Sequence, residues 1–211
     1  VAMILEQIGL RVRVISGVEE ARLIFLGVKH SIALPDGPTL VVDIGGGSVE
    51  LIVGNRDGLI HGTSLKLGAI RLTEQCLPKT PPSQSMMREL ETVVTTHLRD
   101  VFGSFKMKKF HSLVATSGMA GNVGEVVHLR QTGRPLPQHN LATVLLKHIR
   151  SLEAELARSS VKDRLTIPGL DPKRVDTLLP TTVVLRCLLE LYGLQEITLC
   201  DKAIREGIIY D

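Results

Sequence analysis

The feature that most constrains this chain is an apolar run that ends in an aspartate and three consecutive glycines. Leu40 to Val42 has the composition of a buried strand, and Asp43 lies at its end, just before Gly45, Gly46 and Gly47. Glycines allow the backbone to turn tightly and to present consecutive N–H groups to an anion at close range. A carboxylate at the end of a buried strand can hold a hard cation such as Mg²⁺, which bridges phosphate oxygens. The stretch therefore indicates a phosphate and metal site.

A second β-rich run, from Ser48 to Gly54, follows the glycines directly. Ser48 and Glu50 lie two positions apart, so on a strand they share the face opposite to Val49 and Leu51. The order strand, glycine turn, strand differs from the Walker loop and the dinucleotide fingerprint, which both open a helix. Taken alone, the stretch is explained equally well by a glycine-rich β-hairpin with an incidental aspartate.

Two more segments accompany this motif. Residues 15–28 are ISGVEEARLIFLGV, and residues 201–207 are DKAIREG. With residues 42–50, VDIGGGSVE, they resemble in order and spacing the exopolyphosphatase and guanosine-pentaphosphate phosphohydrolase family, within the actin, sugar-kinase and chaperone-ATPase superfamily. The resemblance covers essentially the whole chain and implies an α/β fold. We expect a ribonuclease-H-like (actin-like ATPase) domain, with a mixed sheet flanked by helices.

The resemblance assigns a catalytic role to Glu20. Ser16 and Glu19 have the spacing of a capping box, at the start of a helix predicted to continue to about Lys29, so the cap explains Glu19. Glu20 lies about 100° further round the helix and is not needed by the cap. In the resembled family the second glutamate of this pair is the base that activates the attacking water. A favourable charge at the helix N-terminus is the alternative explanation for Glu20.

Three further residues are candidate phosphate ligands. Arg71 follows a predicted helix start at Leu67, and a guanidinium group can pair with two phosphate oxygens at once. A solvated helix charge explains Arg71 equally well. Ser117 and Gly118 end a second strand and enter a helix, whose N-terminus favours anions. The resemblance implies that they form a second phosphate-facing loop, although a tight connection would also use glycine.

The mechanism implied by the resemblance is hydrolysis of a terminal phosphoanhydride. Mg²⁺ at Asp43, helped by Glu50 through water, would neutralise charge on the terminal phosphate. The amides of Gly45 to Ser48 would hold its oxygens, and Glu20 would deprotonate the attacking water. The implied substrate is inorganic polyphosphate or a guanosine penta- or tetraphosphate. Glu20 and Glu50 are thus the expected catalytic residues, and Asp43 and Glu50 the expected metal ligands.

Two other functions are compatible with these residues. One is a phosphate- or nucleotide-binding module without turnover. The other is a small-molecule kinase of the same superfamily. Kinases there need an adenosine pocket and carry an aspartate at the position of the base, so Glu20 argues against this second alternative.

Composition sets broad limits on function. The chain has 211 residues and 44% hydrophobic content, which suffice for a sizeable core. Its net charge of +3 suits a polyanionic substrate without specifying one. No apolar run approaches the length of a membrane span and no signal-peptide pattern starts the sequence, so we expect a soluble protein.

The cysteines and lysines bear on the compartment and on nucleic-acid binding. Cys76, Cys187 and Cys200 are odd in number and lack metal-ligand spacing, which favours a reduced, cytoplasmic protein. Lys106, Lys108 and Lys109 form a basic patch that is too short to predict a nucleic-acid site, and it is typical of a solvated loop. No specific nucleic-acid partner is expected.

The turn cluster from Pro35 to Pro38 is the predicted domain boundary. Residues 1–34 are expected to be the tail of a first actin-like domain, and residues 35–211 the second domain. The Asp-x-Gly loop with which the family's first domain begins is missing from this sequence. Only one wall of the catalytic cleft would then be present, so we expect the chain alone to turn over polyphosphate poorly.

The predicted tail should expose apolar surface. Arg11 to Ile15 alternates as a strand and would have an unpaired edge. The helix that follows would present an uncovered apolar face, formed by Leu23, Ile24, Phe25 and Val28. Such surfaces favour pairing with another copy, so we expect a homodimer, the alternative being a disordered N-terminal segment.

Hydrophobic periodicity predicts the remaining elements. They are a helix over residues 83–101, a mobile basic loop over 127–140, a helix over 141–158, a helix over 172–192 bent or interrupted at Pro180, and a strand over 196–199.

Overall fold

The computed structural model describes residues 2–105 and 109–211. Within these ranges the chain forms nine α-helices and six β-strands, with a short 3₁₀ turn at Pro172–Arg174. The strands are β1 (Thr39–Ile44), β2 (Val49–Gly54), β3 (Leu59–Leu65), β4 (Ser112–Thr116), β5 (Thr143–Leu145) and β6 (Glu196–Cys200). The helices are α1 (Ala2–Ile8), α2 (Gly17–Ser31), α3 (Ala69–Cys76), α4 (Gln84–Phe105), α5 (Gly118–Thr132), α6 (Leu146–Arg158), α7 (Val161–Arg164), α8 (Leu178–Tyr192) and α9 (Ile204–Ile209).

The strands form one mixed sheet in the order β3-β2-β1-β4-β6-β5. Strand β1 pairs antiparallel with β2 and parallel with β4, and β4 pairs parallel with β6. The edge strands β3 and β5 run antiparallel to their neighbours. Strands β1, β4 and β6 therefore end at the same edge of the sheet, where both predicted phosphate loops begin. The predicted α/β class with a mixed sheet flanked by helices is confirmed.

Both faces of the sheet are covered, which explains why its central strands are continuously apolar. Leu40 and Val42 of β1 belong to the larger core, which the helices α3, α4, α5, α6 and α8 complete. Val41, between them, belongs to the core on the opposite face, together with Ile52 of β2. Successive residues of β1 thus point to opposite faces.

Helix α2 covers the second face with residues that were expected to be exposed. Leu23, Ile24, Phe25 and Val28 are each at most 4% exposed, so the predicted uncovered apolar face is wrong. Three of them join Val41 in the core on this side of the sheet. The helix packs on the sheet that follows it in the chain, and this contact covers one of the two surfaces on which the homodimer prediction was based.

The predicted strand from Arg11 to Ile15 is also wrong. Residues 9–16 have no regular secondary structure, and in the described part of the chain no strand lies beside them. A strand requires a hydrogen-bonded neighbour, so the alternating pattern alone does not produce one. Leu10, Val12 and Val14 are left exposed.

Three other elements differ from the sequence-based expectation. Helix α5 continues to Thr132, so the first part of the predicted loop 127–140 is helical. The predicted helix 141–158 begins with an edge strand, β5, before α6 starts. The helix predicted over residues 172–192 begins only at Leu178, as α8. Pro180 therefore lies in its first turn, where no backbone donor is needed, and it does not interrupt the helix. The helix predicted over residues 83–101 and the strand predicted over residues 196–199 are confirmed as α4 and β6.

Helices α2 and α9 cross at very short distance because both carry a glycine at the contact. A Cβ at Gly207 would overlap the carbonyl oxygen of Leu23, and a Cβ at Gly27 would overlap the carbonyl oxygen of Ala203. Backbone therefore meets backbone at this crossing, and the two glycines explain part of each motif that carries the family resemblance.

Gly207→Ala is expected to lower the free energy of unfolding by about 1–3 kcal/mol, because the added methyl group forces α9 away from α2. Gly103 in α4 is the matched control, since a Cβ at this position meets no atom within 4 Å. Gly103→Ala should instead raise the free energy of unfolding by about 0.5–1 kcal/mol, the usual gain from alanine in a helix. Urea unfolding of both variants measures the difference, and equal effects would contradict a close crossing.

The remaining sequence-based expectations concern the whole chain. Within the described residues, no helix combines the length and the hydropathy needed to cross a bilayer. Cys76, Cys187 and Cys200 are buried free thiols. Of the basic patch, Lys109 is exposed, whereas Lys106 and Lys108 lie outside the described residues.

Candidate phosphate and metal site

One row of polar side chains crosses the sheet near the ends of β1 and β4. Asp43 pairs with Glu50 on β2 and with Thr116 on β4, and Glu50 pairs with Ser64 on β3. Directly paired residues point to the same face of a sheet. This face is the one that α2 covers, because Val41, two residues before Asp43, lies in the core beneath that helix. We call Ser64, Glu50, Asp43 and Thr116 the polar row.

Helix α2 brings Glu20 to the polar row. The apolar residues of α2 pack on Val41 and Ile52, which lie two residues from the polar row. The first turn of α2 reaches β3, where Gly17 packs directly against Ser64. Glu20 is half-buried, and its side chain makes no hydrogen bond or ion pair within residues 2–105 and 109–211. Its negative charge acts on both Asp43 and Glu50. The structure thus brings the predicted base together with the two predicted metal ligands.

The neighbouring Glu19 is fully engaged elsewhere. Ser16 Oγ accepts a hydrogen bond from the Glu19 amide at 3.2 Å, which confirms the cap at the start of α2. The capping box predicted that the side chain of Glu19 reaches back to Ser16. Instead, it accepts two hydrogen bonds from Arg22 at 2.9 Å. The Arg22 guanidinium lowers the pKa of Glu19. Two adjacent glutamates therefore have separate environments, and the one beside the polar row is Glu20.

Glu50 is the most buried acid of the site. Its side chain is 2% exposed, and its Oε1 accepts a hydrogen bond from Ser64 Oγ at 2.7 Å. Burial raises the pKa of Glu50, while the hydroxyl groups of Ser64 and Ser48 lower this pKa and the charge of Glu20 raises it. The carboxylate therefore has two hydroxyl neighbours and a like charge nearby.

Burial, together with the nearby charges of Glu50 and Glu20, raises the pKa of Asp43 from 3.8 to about 7. Among the described residues, Asp43 and Glu50 form no ion pair with a basic side chain. Like charges that converge in a partly buried place destabilise each other unless a cation lies between them. The electrostatics of the site therefore favour a positive ion.

The glycine loop presents three consecutive free amides. Gly45 donates its amide to the carbonyl oxygen of Ser48 at 2.9 Å, which closes the turn. The amides of Gly46, Gly47 and Ser48 donate no hydrogen bond in the described part of the chain. The phosphate cradle predicted for Gly45 to Ser48 thus narrows to the last three amides, and Gly45 has a structural role in it.

Helix α3 holds this loop in place from behind. The carbonyl oxygen of Gly46 accepts from the amides of Ile70 and Arg71, at 3.0 and 3.3 Å. Gly68 packs so closely on Gly46 and Gly47 that a Cβ would overlap their backbone. The exposed Arg71 donates its Nε to the carbonyl oxygen of Gly47 at 3.2 Å. Arg71 therefore braces the loop directly through its side chain.

Ser117 and Gly118 lie at the next parallel strand end, as expected for a second loop. Ser117 has a φ of 100°, which a side chain rarely adopts, and its Oγ accepts from the Ala120 amide at 3.2 Å to cap α5. Both residues line a cavity of about 400 Å³, which Arg174 and Arg205 also line. A Cβ at Gly118 would overlap the Arg174 guanidinium, so a larger residue at this position would require that side chain to move.

The residues present fit a magnesium ion. The described residues contain no group of three or more His, Cys, Asp or Glu side chains arranged to hold a metal. Mg²⁺ does not require such a group, because one or two carboxylates together with phosphate oxygens and water usually hold it. Asp43 and Glu50, paired across β1 and β2, supply the two carboxylates. Burial and the like charges of Glu50 and Glu20 raise the pKa of Asp43, and a bound cation would offset both effects.

The mixed sheet and its flanking helices define the class of protein, a domain of the actin-like ATPase fold. Solved structures with this fold include an exopolyphosphatase from Cytophaga hutchinsonii, with a TM-score of 0.88 and 25% identity over 99% of this chain and 67% of that chain. A Ppx/GppA family member from Aquifex aeolicus has a TM-score of 0.86 and 21% identity, over 99% of this chain and 66% of that chain.

The chain belongs to the Ppx/GppA phosphatase family, whose family model matches residues 1–211. It is 28% identical over 205 residues to exopolyphosphatase 1 of Mycobacterium leprae, which covers 97% of this chain and 60% of the relative. It is 26% identical over 202 residues to a putative exopolyphosphatase of Haemophilus influenzae, covering 94% of this chain and 59% of the relative. The chain thus spans about 60% of the length of these curated relatives.

Sequence reasoning did not single out Ser64, Thr116 or Arg174 as neighbours of the site. Ser64 and Thr116 are found only through strand register, which places them beside Glu50 and Asp43. Arg174 reaches Gly118 from the 3₁₀ turn before α8, more than fifty positions away in the sequence. The residue types alone gave no indication that any of these three residues lies near the site.

Proposed function

We propose that this protein hydrolyses the terminal phosphoanhydride bond of inorganic polyphosphate with the help of Mg²⁺. One observation carries the proposal. The paired carboxylates of Asp43 and Glu50 lie beneath the uncommitted Glu20 and beside the three free amides of the glycine loop. This arrangement offers a cation site, an anion site and a base within one end of the sheet.

Each group has a distinct task in the proposed reaction. Asp43, with Glu50, would hold Mg²⁺, which offsets charge on the terminal phosphate when it is bound. The amides of Gly46 to Ser48 donate hydrogen bonds to the phosphate oxygens that gain charge. Glu20 accepts the proton of the attacking water, and Arg71 keeps the glycine loop in position through Gly47. Ser117 and Gly118 border the place where the next phosphates of the chain can lie.

We name polyphosphate first because the Mycobacterium leprae relative and the Cytophaga hutchinsonii structure are named as exopolyphosphatases, and the Haemophilus influenzae relative as a putative one. Guanosine pentaphosphate ends in the same phosphoanhydride and is the second candidate. A binding module without turnover is the third, since orientation between two walls supplies much of the rate in such a reaction. The domain division at residue 35 and the one-walled cleft belong to this same proposal.

Phosphate release measures the proposal directly. The 211-residue chain and the most complete natural form of the protein are incubated with polyphosphate, guanosine pentaphosphate or ATP, with and without Mg²⁺. We expect Mg²⁺-dependent phosphate release from polyphosphate by the complete form, and little release by the 211-residue chain. Binding of polyphosphate without any release by either form would favour the binding module. Release that does not depend on Mg²⁺ would contradict the metal assignment.

The compartment and the assembly are proposed from the cysteines and from the segment before α2. Three buried free thiols fit a reducing compartment, so we place the protein in the cytoplasm. The exposed Leu10, Val12 and Val14 alternate along a segment with no strand partner in the described residues, which is the remaining basis for a homodimer. Analytical ultracentrifugation of the chain and of a Val12→Asp, Val14→Asp variant tests the dimer. A monomer in both cases would exclude it.

A further inference from the structure

Ser64 lies on the edge strand β3 and has no part in the reaction proposed above. Its Oγ nevertheless donates a 2.7 Å hydrogen bond to Oε1 of Glu50, the most buried acid of the site. A hydroxyl bound to a carboxylate forms a short, strong and directional bond. We propose that Ser64 is a positioning residue that fixes the Glu50 carboxylate toward the cation held at Asp43. This inference rests on the proposed function of that site.

The order of the polar row gives the bond its effect. Glu50 stands between Ser64 on one side and Asp43 on the other, and all three side chains leave the same face of the sheet. The carboxylate group of a glutamate otherwise rotates freely about its last bond, because this torsion has broad minima. A bond on the Ser64 side restricts that rotation and keeps the carboxylate within the row. Groups that orient metal ligands in this way usually change metal affinity when they are removed.

Helix α2 encloses the same hydroxyl group from above. A Cβ at Gly17 would overlap the Cβ of Ser64, so the first turn of the helix rests directly on this serine. The site has room for a serine side chain at position 64 and for none at position 17. Glu20 follows three residues after Gly17 on the same helix. Ser64 therefore contacts both the carboxylate of the cation site and the helix that carries the proposed base.

The test is a double-mutant cycle read out by metal binding to the 211-residue chain. Mn²⁺ serves as the probe, because carboxylate oxygens bind it as they bind Mg²⁺. Calorimetry gives the Kd for the unaltered chain, Ser64→Ala, Glu50→Gln and the double variant. We expect Ser64→Ala to weaken Mn²⁺ binding about 10-fold or more. In the Glu50→Gln background, Ser64→Ala should cause no further loss, because its effect passes through Glu50.

Ser112→Ala is the matched control. The Ser112 hydroxyl group shares a 2.9 Å hydrogen bond with Thr39 at the opposite end of the same sheet. Removing it deletes a comparable bond without touching the site, so the Kd for Mn²⁺ should stay unchanged. Urea unfolding of both serine variants shows whether their losses of stability are similar. A weaker Kd in Ser112→Ala as well would mean that general loosening of the sheet, and not Ser64, sets the affinity.

Further outcomes separate this inference from the proposed function. If Asp43→Asn abolishes Mn²⁺ binding while Ser64→Ala binds as tightly as the unaltered chain, the role of Ser64 is refuted and the cation site stands. A loss in Ser64→Ala that is equally large in the Glu50→Gln background also refutes it. If the unaltered chain binds no Mn²⁺, or Asp43→Asn binds it normally, the cation site itself is refuted, and the role of Ser64 with it.

Discussion

Glu20→Gln is expected to lower kcat for phosphate release from polyphosphate by about 10²–10⁴-fold, the range that general-base assistance usually contributes. Glutamine keeps the size of the side chain but cannot accept a proton from water. Because a base acts in the transition state and not in ground-state binding, the KM and the affinity for polyphosphate should change little. The measurement combines steady-state phosphate release by the most complete form of the protein with equilibrium binding of polyphosphate.

Glu19→Gln is the control for this result, because it alters the adjacent side chain of the same helix turn. Glu19 is bound to Arg22 and faces away from the chemistry, so its loss should leave kcat nearly normal. Near-normal turnover in Glu20→Gln would mean that Glu20 is not the base and only provides a favourable charge at the start of α2. Equal losses in both variants would indicate that α2 has shifted and that neither glutamate is the base.

Asp43→Asn is expected to have two opposite effects on the 211-residue chain at pH 8. Without metal it should be more stable than the unaltered chain, because the asparagine carries no charge into the partly buried site. With Mg²⁺ or Mn²⁺ it should gain no stability, whereas the unaltered chain should gain stability from ion binding. The interval between 3.8 and a folded pKa of about 7 corresponds to at most ~4 kcal/mol, and the partial exposure of Asp43 reduces the expected gain to about 2–3 kcal/mol.

The pH dependence has a definite sign. The folded pKa of Asp43 lies above its unfolded value, so the folded chain binds this proton more tightly than the unfolded chain. Its contribution to stability is complete below pH 3.8 and is lost as the pH rises through about 7. The metal-free chain should therefore unfold more easily at pH 8 than at pH 5, and Asp43→Asn should remove much of that difference. Urea unfolding at the two pH values measures it.

Two further variants sharpen the test of Asp43. Asp57→Asn alters an aspartate whose side chain is 81% exposed, and it should change neither the unfolding free energy nor the response to Mg²⁺. Glu50→Gln should weaken the Mg²⁺ requirement less than Asp43→Asn, because Asp43 ends the strand and Glu50 acts beside it. An unaltered metal titration for Asp43→Asn, or equal titrations for Asp43→Asn and Glu50→Gln, would contradict this order.

The central elements of the fold could be predicted from the sequence because their local patterns and their burial agree. The apolar run before Asp43, the glycines and the second run specify a strand, a turn and a strand wherever they are placed. The prediction of a strand from Arg11 to Ile15 was wrong because its local pattern and its surroundings disagree. Its alternation is a local signal, but a strand forms only where a neighbouring strand offers hydrogen bonds, and that is not a local property.

The role of Ser64 could not be predicted because it depends on one irregular position. The hairpin turn pairs Gly54 with Leu59, and a regular ladder from there would place Thr63 opposite Glu50. A register shift between Val53 and Gly54 moves the pairing by one residue, so Ser64 faces Glu50 instead. Side chains alternate along a strand, so this single residue decides which hydroxyl group lies on the α2 side. No pattern in the sequence announces such a bulge.

The crossing of α2 and α9 has a consequence for kinetics. Glu20 lies seven residues from Gly27, which is about 10 Å along the helix, so a tilt of about 6° at that crossing would move the carboxylate by ~1 Å. A displacement of that size can slow a positioned reaction by about 100-fold. Gly27 and Gly207 possess no side chain that could meet a substrate. In a genetic screen for loss of turnover, substitutions at these two glycines should nonetheless be found together with substitutions at Glu20. The variant proteins should fold and bind polyphosphate but fail to hydrolyse it.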